Sequence, residues 1–499
     1  VLHGQKLKAG KFDLRSRSEC LFREEEAMHV ALVNTNRIRP LIAPIGLEYI
    51  AEFLHASGHD VEILDLCWAE NEDEAIRRFF AGKQFGLVGV TLRNTDDCAF
   101  TSRQSFLREF SAIVRKIRQH TDALIVLGGV GFSVMPELVL SICDADAGIW
   151  GDGEWALCEL ANRLERGEDW RDLPNLVWKC DGRWRRNSPF EFSLSDLPAM
   201  HRSWADNKRY FKEGGQAGFE TKRGCNGSCI YCADPVAKGR NIRLRPPSAV
   251  ADEVEHLVDQ GIDHLHTCDS EFNLPPEHAV AVCEEFDRRK LGDKVRWYAY
   301  CSPVPFSREL ARKMRRAGCV GINFGVDSGD EEMLRKLGRN FTPSDIKETI
   351  RICRQEGIAV MLDLLLGAPG ETKESLKRTI DTVKQAEPDC VGVAVGVRVY
   401  PGTPLAKWLE SLPEVNGLVG GDEPVDPVFF LEPNVAPFIF EFLDQLIGGD
   451  QRFFFFDPSR PERDYNYNAN ERLIEAIQRG YRGAYWDILR RLRAGQGVK

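Results

Sequence analysis

Thr221-Lys-Arg-Gly-Cys-Asn-Gly-Ser-Cys-Ile-Tyr-Cys-Ala-Asp234 decides how the rest of the chain is read, because it sets Cys225, Cys229 and Cys232 in a C-x3-C-x2-C array. Three thiolates this close, in a loop loosened by Gly224 and Gly227, can converge on one soft metal centre. Zinc normally takes four ligands, and the paired C-x2-C segments of a zinc ribbon are missing. On a four-iron four-sulfur (4Fe-4S) cluster, three cysteines leave one iron free for a further ligand, which makes a chemical site rather than an electron relay. On the cysteines alone, a zinc loop with a distant ligand and three unrelated thiols stay open as readings.

The surroundings narrow this. Residues 219–222 read as a short strand entering the loop and 247–259 as the helix after it. With Tyr231 just before its last cysteine, the array resembles the signature of the radical S-adenosylmethionine (SAM) enzymes. The resemblance implies a 4Fe-4S cluster on Cys225, Cys229 and Cys232, with SAM chelating the open iron and the backbone of Tyr231 lying against adenine.

Working outward from the array, strand and helix signals alternate on both sides of it. Upstream, apolar strand runs are expected at 29–33, 61–64, 85–92, 123–127 and 147–150, with helices at 45–57, 71–81 and 102–119. Such alternation predicts a parallel sheet with helices on both faces and a ligand beyond the carboxyl ends of its strands. Those ends carry Thr91-Leu-Arg-Asn-Thr95, Gly128-Gly-Val-Gly131 and Gly151-Asp-Gly-Glu154, where glycines let a backbone approach a large ligand closely. Together with segments 43–49, 58–65, 127–130 and 150–154, they resemble the cobalamin-binding domain found upstream of many radical SAM domains. The resemblance implies cobalamin contacts from Thr91, Leu92, Arg93, Asn94, Gly128, Gly129, Gly131, Gly153 and Glu154. The D-x-H-x-x-G motif that supplies a lower axial histidine is missing, and His55 and His59 are read as surface residues. Cobalamin is therefore expected without histidine on cobalt, with Arg93 and Asn94 facing its lower side.

Downstream, strands are expected at 219–222, 264–269, 295–301, 320–327, 359–366 and 391–400, alternating with helices at 247–259, 276–289, 307–317, 343–356 and 373–386. Six such units suit the partial barrel of radical SAM enzymes, with chemistry at the carboxyl ends of the strands. The resemblance carries SAM contacts to Asp269 and Glu271 after the second strand, with a carboxylate there for the SAM amino group. It also carries them to Asp327 (where relatives usually have Glu) and Ser328 after the fourth, Gly367 after the fifth and Arg398 at the sixth. Cys268 and Cys301 are read as small buried hydrophobes. The fold class is thus α/β: an N-terminal Rossmann-like doubly wound parallel sheet, then a partial (β/α)6 barrel with a mostly helical C-terminal cap. Its segments are an N-terminal extension (1–28), the cobalamin domain (29–165), a connector with a hairpin around Asp181-Gly182 (166–217), the barrel (218–403) and the cap (404–499). The cap holds aromatic runs at 428–431, 438–442 and 453–456, the stretch 464–468, and a helix over 470–492 broken near Gly480–Gly483.

Composition sets limits on function. The formal charge of −10, with both signs interspersed, argues against broad nucleic-acid binding. Fifteen cysteines in 499 residues suit a reducing cytoplasm rather than a disulfide framework. No apolar run approaches a membrane span of ~20 residues. The expected function is reductive cleavage of SAM at the cluster, leading to cobalamin-dependent methyl transfer to a carbon of a small-molecule substrate. The alternative is a lyase, rearrangement or 3-amino-3-carboxypropyl transfer by the same domain pair. Electrons would come from an external flavodoxin- or ferredoxin-like donor.

Overall fold

The computed structural model describes residues 27–455 and 465–498. The expected N-terminal extension lies outside the described residues except for its last two positions, as do Phe456 and Asp464.

The first sheet begins with β1 (His29–Asn34), whose apolar run is continuous because both faces are covered. Ala31 and Val33 enter one hydrophobic core and Val30 and Leu32 another, on opposite sides, as the twofold strand repeat requires. β1 pairs in parallel with β2 (Asp60–Asp65) and β3 (Leu87–Thr91). Then follow β4 (Leu124–Gly128) and β5 (Ala147–Ile149), for a strand order of 2-1-3-4-5. The hairpin expected in the connector exists as β6 (Leu176–Cys180) and β7 (Arg183–Arg186), and it extends this sheet antiparallel from β5.

The second sheet starts at β8 (Ala217–Phe219). Chain connection passes through a short antiparallel pair, β9 (Lys222–Arg223) and β10 (Arg243–Leu244), that flanks the cysteine loop. The strand expected over 219–222 is therefore two pieces. The barrel continues with β11 (His264–Thr267), β12 (Arg296–Cys301), β13 (Cys319–Asp327), β14 (Ala359–Leu366) and β15 (Cys390–Val395), all parallel. The strand expected to run on to residue 400 stops because Gly396 takes φ +80°, where a Cβ would fall 2.5 Å from the Phe100 ring. Beyond it, β16 (Val397–Arg398) joins a small antiparallel sheet with β17 (Leu418–Gly420) and β18 (Val428–Phe430). Besides the six expected strands, β19 (Phe453–Phe455) adds a seventh in parallel beside β15. The helices Pro343–Glu356 and Lys373–Ala386 each begin with a capping box, on Thr342 and Thr372.

The C-terminal helices Glu471–Gln478 and Tyr485–Arg493 part at the expected glycines and pack into the barrel's open interior. The Trp486 indole N–H donates to Asn323 Oδ1 (2.6 Å), and the Tyr298 hydroxyl donates to Asp487 (2.8 Å). Among the described residues no helix is long and apolar enough to cross a membrane.

Candidate active site

A cavity of 920 Å³ lies where the carboxyl ends of the two sheets face one another. The first domain contributes Thr91, Arg93, Asn94, Gly128, Gly129, Gly153 and Glu154 to its wall. Leu92 instead packs inward at 3 % exposure, and Gly131 is buried beneath the wall. The glycines let two loops interlock. Gly131 N–H donates to the carbonyls of Leu92 and Arg93 (both 3.0 Å), and a Cβ on Gly129, whose φ is +99°, would lie 2.4 Å from the Leu92 carbonyl. The result is a wall of backbone and small residues, broad enough for a large flat ligand, with the Arg93 guanidinium on it. Arg93 has no acidic partner among the described residues. Burial pushes its pKa down, against the pull of Tyr485, Cys268 and Tyr300. Among the described residues no histidine lines the cavity from this side. His55 is exposed as expected, but His59 is buried, at the amino end of β2 and away from the ligand-facing edge.

The barrel supplies the opposite wall, with Lys222, His266, Cys268 and Tyr300, while Tyr465–Asn468, Tyr485 and Trp486 arrive from the C-terminal segment. Cys301 is fully buried as expected, whereas Cys268 faces the cavity.

The cysteine loop is held on two sides. Cys225 N–H donates to the Gly239 carbonyl (3.0 Å) and Ile230 N–H to that of Leu337 (3.1 Å). A side chain at Gly227 would crowd the sulfurs of Cys225 and Cys229, its Cβ falling 3.3 and 3.8 Å from them. The Arg339 guanidinium lies 2.9 Å from Cys229 Sγ. Burial pushes the thiol of Cys229 up to about 11 and that of Cys232 to about 12. Metal binding would replace their protons, as a coordinated thiol is deprotonated. Among the described residues no three His, Cys, Asp or Glu side chains close on a single metal ion. In a multi-iron cluster each thiolate takes its own iron, so three cysteines need not meet at one point.

The expected SAM contacts separate into two groups. Asp269 is committed to the fold: it accepts from Thr221 N–H (2.9 Å), Thr221 Oγ1 (2.6 Å) and Lys222 N–H (3.2 Å), which bends the chain out of β8 toward the cysteines. Ser328 bonds Thr379 (2.8 Å) and caps the next turn at Asp330. Arg398 reaches across the domain boundary to Asp96 (2.8 and 3.0 Å) rather than into the cavity. Glu154 likewise crosses it, gripping Arg223 in a bidentate pair (2.6 and 3.0 Å). Gly367, at φ +87°, makes room for Leu431. Asp327 accepts from the Tyr231 hydroxyl (2.7 Å) and Arg339 (2.6 Å), which ties the fourth strand end to the cysteine loop. Glu271 differs, since its Oε2 is buried and has no hydrogen-bond partner among the described residues. Burial pushes its carboxyl up to about 7, opposed by Arg339 and Lys222. Lys222, Arg339, Tyr300 and Tyr485 were not singled out in the sequence. Lys222 and Arg339 are ordinary basic residues until the fold sets them beside the cysteines.

A glycine-walled cavity bordered by the segments that flank a three-cysteine loop, at the carboxyl ends of a parallel barrel, is the arrangement of a two-domain radical SAM enzyme with a cobalamin-type partner domain. Two family models match accordingly: the B12 binding domain over residues 32–161 and the Radical SAM superfamily over 219–383. The chain is 32% identical over 443 residues to tryptophan 2-C-methyltransferase of Streptomyces laurentii, covering 76% of this chain and 74% of that protein. It belongs to the cobalamin-dependent radical SAM methyltransferases. The structure of TsrM, a radical SAM methyltransferase from Kitasatospora setae, with tryptophan and a SAM analogue bound, superposes with a TM-score of 0.86 at 30% identity. It covers 94% of this chain and 100% of that one. The same enzyme with cobalamin and a 4Fe-4S cluster gives 0.85 at 29%, covering 94% and 99%.

Proposed function

We propose that this enzyme methylates a carbon of a small aromatic amino acid of the size and type of tryptophan, inside the cavity between its domains. The shared cavity carries the reading: a broad backbone wall, the residues that flank the cysteine loop (Lys222, Arg223, Ala237 and Lys238) and a set of tyrosines open onto one space. The sequence similarity to a tryptophan methyltransferase adds to it. Residues 29–165 would hold cobalamin, with Thr91, Asn94, Gly128 and Gly129 against the corrin and Arg93 beneath the metal. Residues 218–403 would hold SAM and the cluster, on Cys225, Cys229 and Cys232, and residues 404–499 would close the substrate end.

When bound, the cluster and SAM supply one-electron chemistry and cobalamin carries the methyl group. The chain's own residues position these groups and exclude water. Glu271 is placed to accept the SAM ammonium, since the carboxylate of Asp269 is spent on the backbone of Thr221 and Lys222. The Arg339–Asp327–Tyr231 chain fixes the loop that carries Cys229. Tyr300, Tyr465, Tyr467 and Tyr485 offer ring faces for an aromatic substrate. An external flavodoxin- or ferredoxin-like donor would supply electrons. The acidic net charge favours a small substrate over a nucleic acid, and fourteen described cysteines, all free thiols, fit a reducing cytoplasm.

Anaerobic reconstitution with iron, sulfide and cobalamin, followed by incubation with SAM and L-tryptophan, tests the reading. A product heavier by one methyl group, with the label carried over from methyl-labelled SAM, is the expected result. Protein that takes up cobalamin and cluster but methylates no aromatic amino acid would remove the substrate assignment. Protein that takes up no cobalamin would remove the mechanism.

A further inference from the structure

Among the described residues His266 is the single histidine on the cavity wall. It lies on β11, with the rings of Tyr300 and Tyr298 at 5.0 and 6.4 Å between centroids. Its Nδ1 is 2.8 Å from the Thr267 carbonyl oxygen, which can only accept, so Nδ1 carries the proton and Nε2 keeps a bare lone pair. Nε2 meets no hydrogen-bond partner among the described residues and is not sealed in their interior. Burial lowers the pKa of the ring, against the pull of the Thr267 carbonyl and Asp269, so at neutral pH it is an uncharged acceptor. The other ionisable acceptors on the wall are spent. Glu154 and Glu220 each grip Arg223 with both oxygens (2.6 and 3.0 Å, 2.7 and 3.1 Å), and Asp152 pairs with Arg223 (3.3 Å) and Arg243. Asp97 ties its own loop, accepting from the Ala99 and Gln104 amides (both 3.2 Å) and from Ser102. Loss of water pushes the thiols of Cys98 and Cys268 up to about 12, and they keep their protons.

We propose that His266 is a catalytic base, its Nε2 taking the proton that an aromatic ring gives up on methylation. This rests on the reading above, in which the substrate is an aromatic amino acid. Methylation of a ring carbon exchanges C–H for C–CH3. The methyl group arrives without its bonding electrons, which stay with the methyl carrier, and the ring supplies the pair for the new C–C bond. The C–H pair then returns to the ring. Its proton moves to Nε2, giving an imidazolium whose Nδ1–H still donates to Thr267, and passes to water when the product leaves.

The test uses reconstituted holoenzyme as wild type, His266→Gln, His266→Asn and His266→Ala, with L-tryptophan carrying deuterium on its ring carbons. His266→Gln and His266→Asn should lose about a hundred- to ten-thousandfold in kcat, the usual worth of a general base, with L-tryptophan binding, iron and cobalamin at wild-type levels. The ring-deuterium isotope effect should rise above that of wild type in both, because proton removal then limits turnover. Added imidazole should restore part of the rate to His266→Ala, and the ring deuterium should leave to water. Wild type that methylates no aromatic amino acid removes the substrate reading and this role with it. Wild type that does so, with His266→Gln and His266→Asn turning over at its rate, removes this role alone. A loss of L-tryptophan affinity or of cofactor content that accounts for the lost rate overturns it, because His266 would then serve packing. Ring deuterium recovered in a nucleoside derived from SAM overturns it too, since the hydrogen would have left with an electron. So does nitrogen splitting in the wild-type cobalt(II) resonance that His266→Asn abolishes, which would put Nε2 on the metal.

Discussion

Two sets of buried charges join the domains of this protein, and they are finished in opposite ways. Behind the cavity, Glu253 of the barrel accepts from Arg202 (2.8 Å), from the Tyr49 hydroxyl (2.8 Å) and from Arg245, while Glu48 accepts from Arg202 (2.8 Å) and Asn207 (2.7 Å). All of these groups are buried, and the carboxylates and guanidiniums answer one another. On the cavity side, Arg93 and Lys222 on its wall and one oxygen of Glu271 beyond it have no ion-pair or hydrogen-bond partner for their charged atoms among the described residues. Completed charges hold a joint at a fixed geometry. Incomplete ones are stable only when a ligand finishes them, so the difference marks which face of the domain boundary is structural and which is chemical.

The sharpest way to break this comparison is to remove what the open face is built around. Converting Cys225, Cys229 and Cys232 to Ala should abolish activity and cluster iron together while the protein stays folded, because these thiols support no core. Iron analysis and thermal melting check both halves. A triple variant that keeps its iron refutes the cluster assignment.

Next in size is an attack on the closed set. Glu253→Ala leaves Arg202 and Arg245 buried without their shared carboxylate, and loss of one partner of a buried pair costs about 3–5 kcal/mol. Denaturant unfolding should register this in full, with little change in the affinity of isolated ligands. Burial pushes the Glu253 carboxyl up, but Arg245 and Arg202 more than offset it and hold its pKa low. Its contribution is therefore present at neutral pH and lost as pH falls through that depressed value. A wild-type-like stability for Glu253→Ala would erase the distinction drawn above.

Glu271 and Asp269 test the same contrast two residues apart. Glu271→Gln should weaken SAM by about 1.5–3 kcal/mol, roughly ten- to a hundredfold, with stability intact. Because burial holds the Glu271 carboxyl up to about 7 in the ligand-free protein, its charged form fills as pH rises. SAM affinity should therefore strengthen through that range in wild type and stay flat in the variant. Asp269→Ala should instead loosen the loop and lower cluster retention. The reverse assignment of the two effects would restore Asp269 as the SAM contact.

That pair also shows what the sequence could disclose. Cys225, Cys229 and Cys232 were legible because ligand spacing in a short loop is itself the signal, and the strand-end glycines because close approach demands them. The succession of strands and helices along the chain followed from alternating apolar runs, whereas the spatial order of the strands did not. Asp269 and Glu271 share one strand end, and spacing does not reveal that Asp269 turns back onto the Thr221 amide while Glu271 does not. Arg398 and Glu154 had the right address at strand ends, yet their partners, Asp96 and Arg223, belong to the other domain, and no local pattern encodes a contact some 70 to 300 positions away. The seventh strand, β19, was hidden in an aromatic run whose three residues fit a core equally well as strand or helix.

The smallest expected effect comes from Arg93, the open charge on the wall proposed to face the corrin. A guanidinium holds its proton and makes a poor cobalt ligand, and on the proposed reading its charge would discourage water from coordinating the metal on that side. Among the described residues no histidine stands on this wall to take its place, since His59 sits at the far end of β2. Arg93→Ala should keep cobalamin bound, because the interlocked loops of residues 91–94 and 128–131 form the wall without it, and should slow turnover only several-fold. Arg93→His should bring an imidazole to the same position. Paramagnetic resonance of the cobalt(II) form reads the difference independently of turnover, because an axial nitrogen splits the cobalt lines. Wild type should show no nitrogen splitting, Arg93→Ala none, and Arg93→His a clear one. Nitrogen splitting in the wild-type protein would mean that another side chain, with His266 on the barrel wall the first to test, completes the metal, and the charge of Arg93 would then have to be finished by substrate instead.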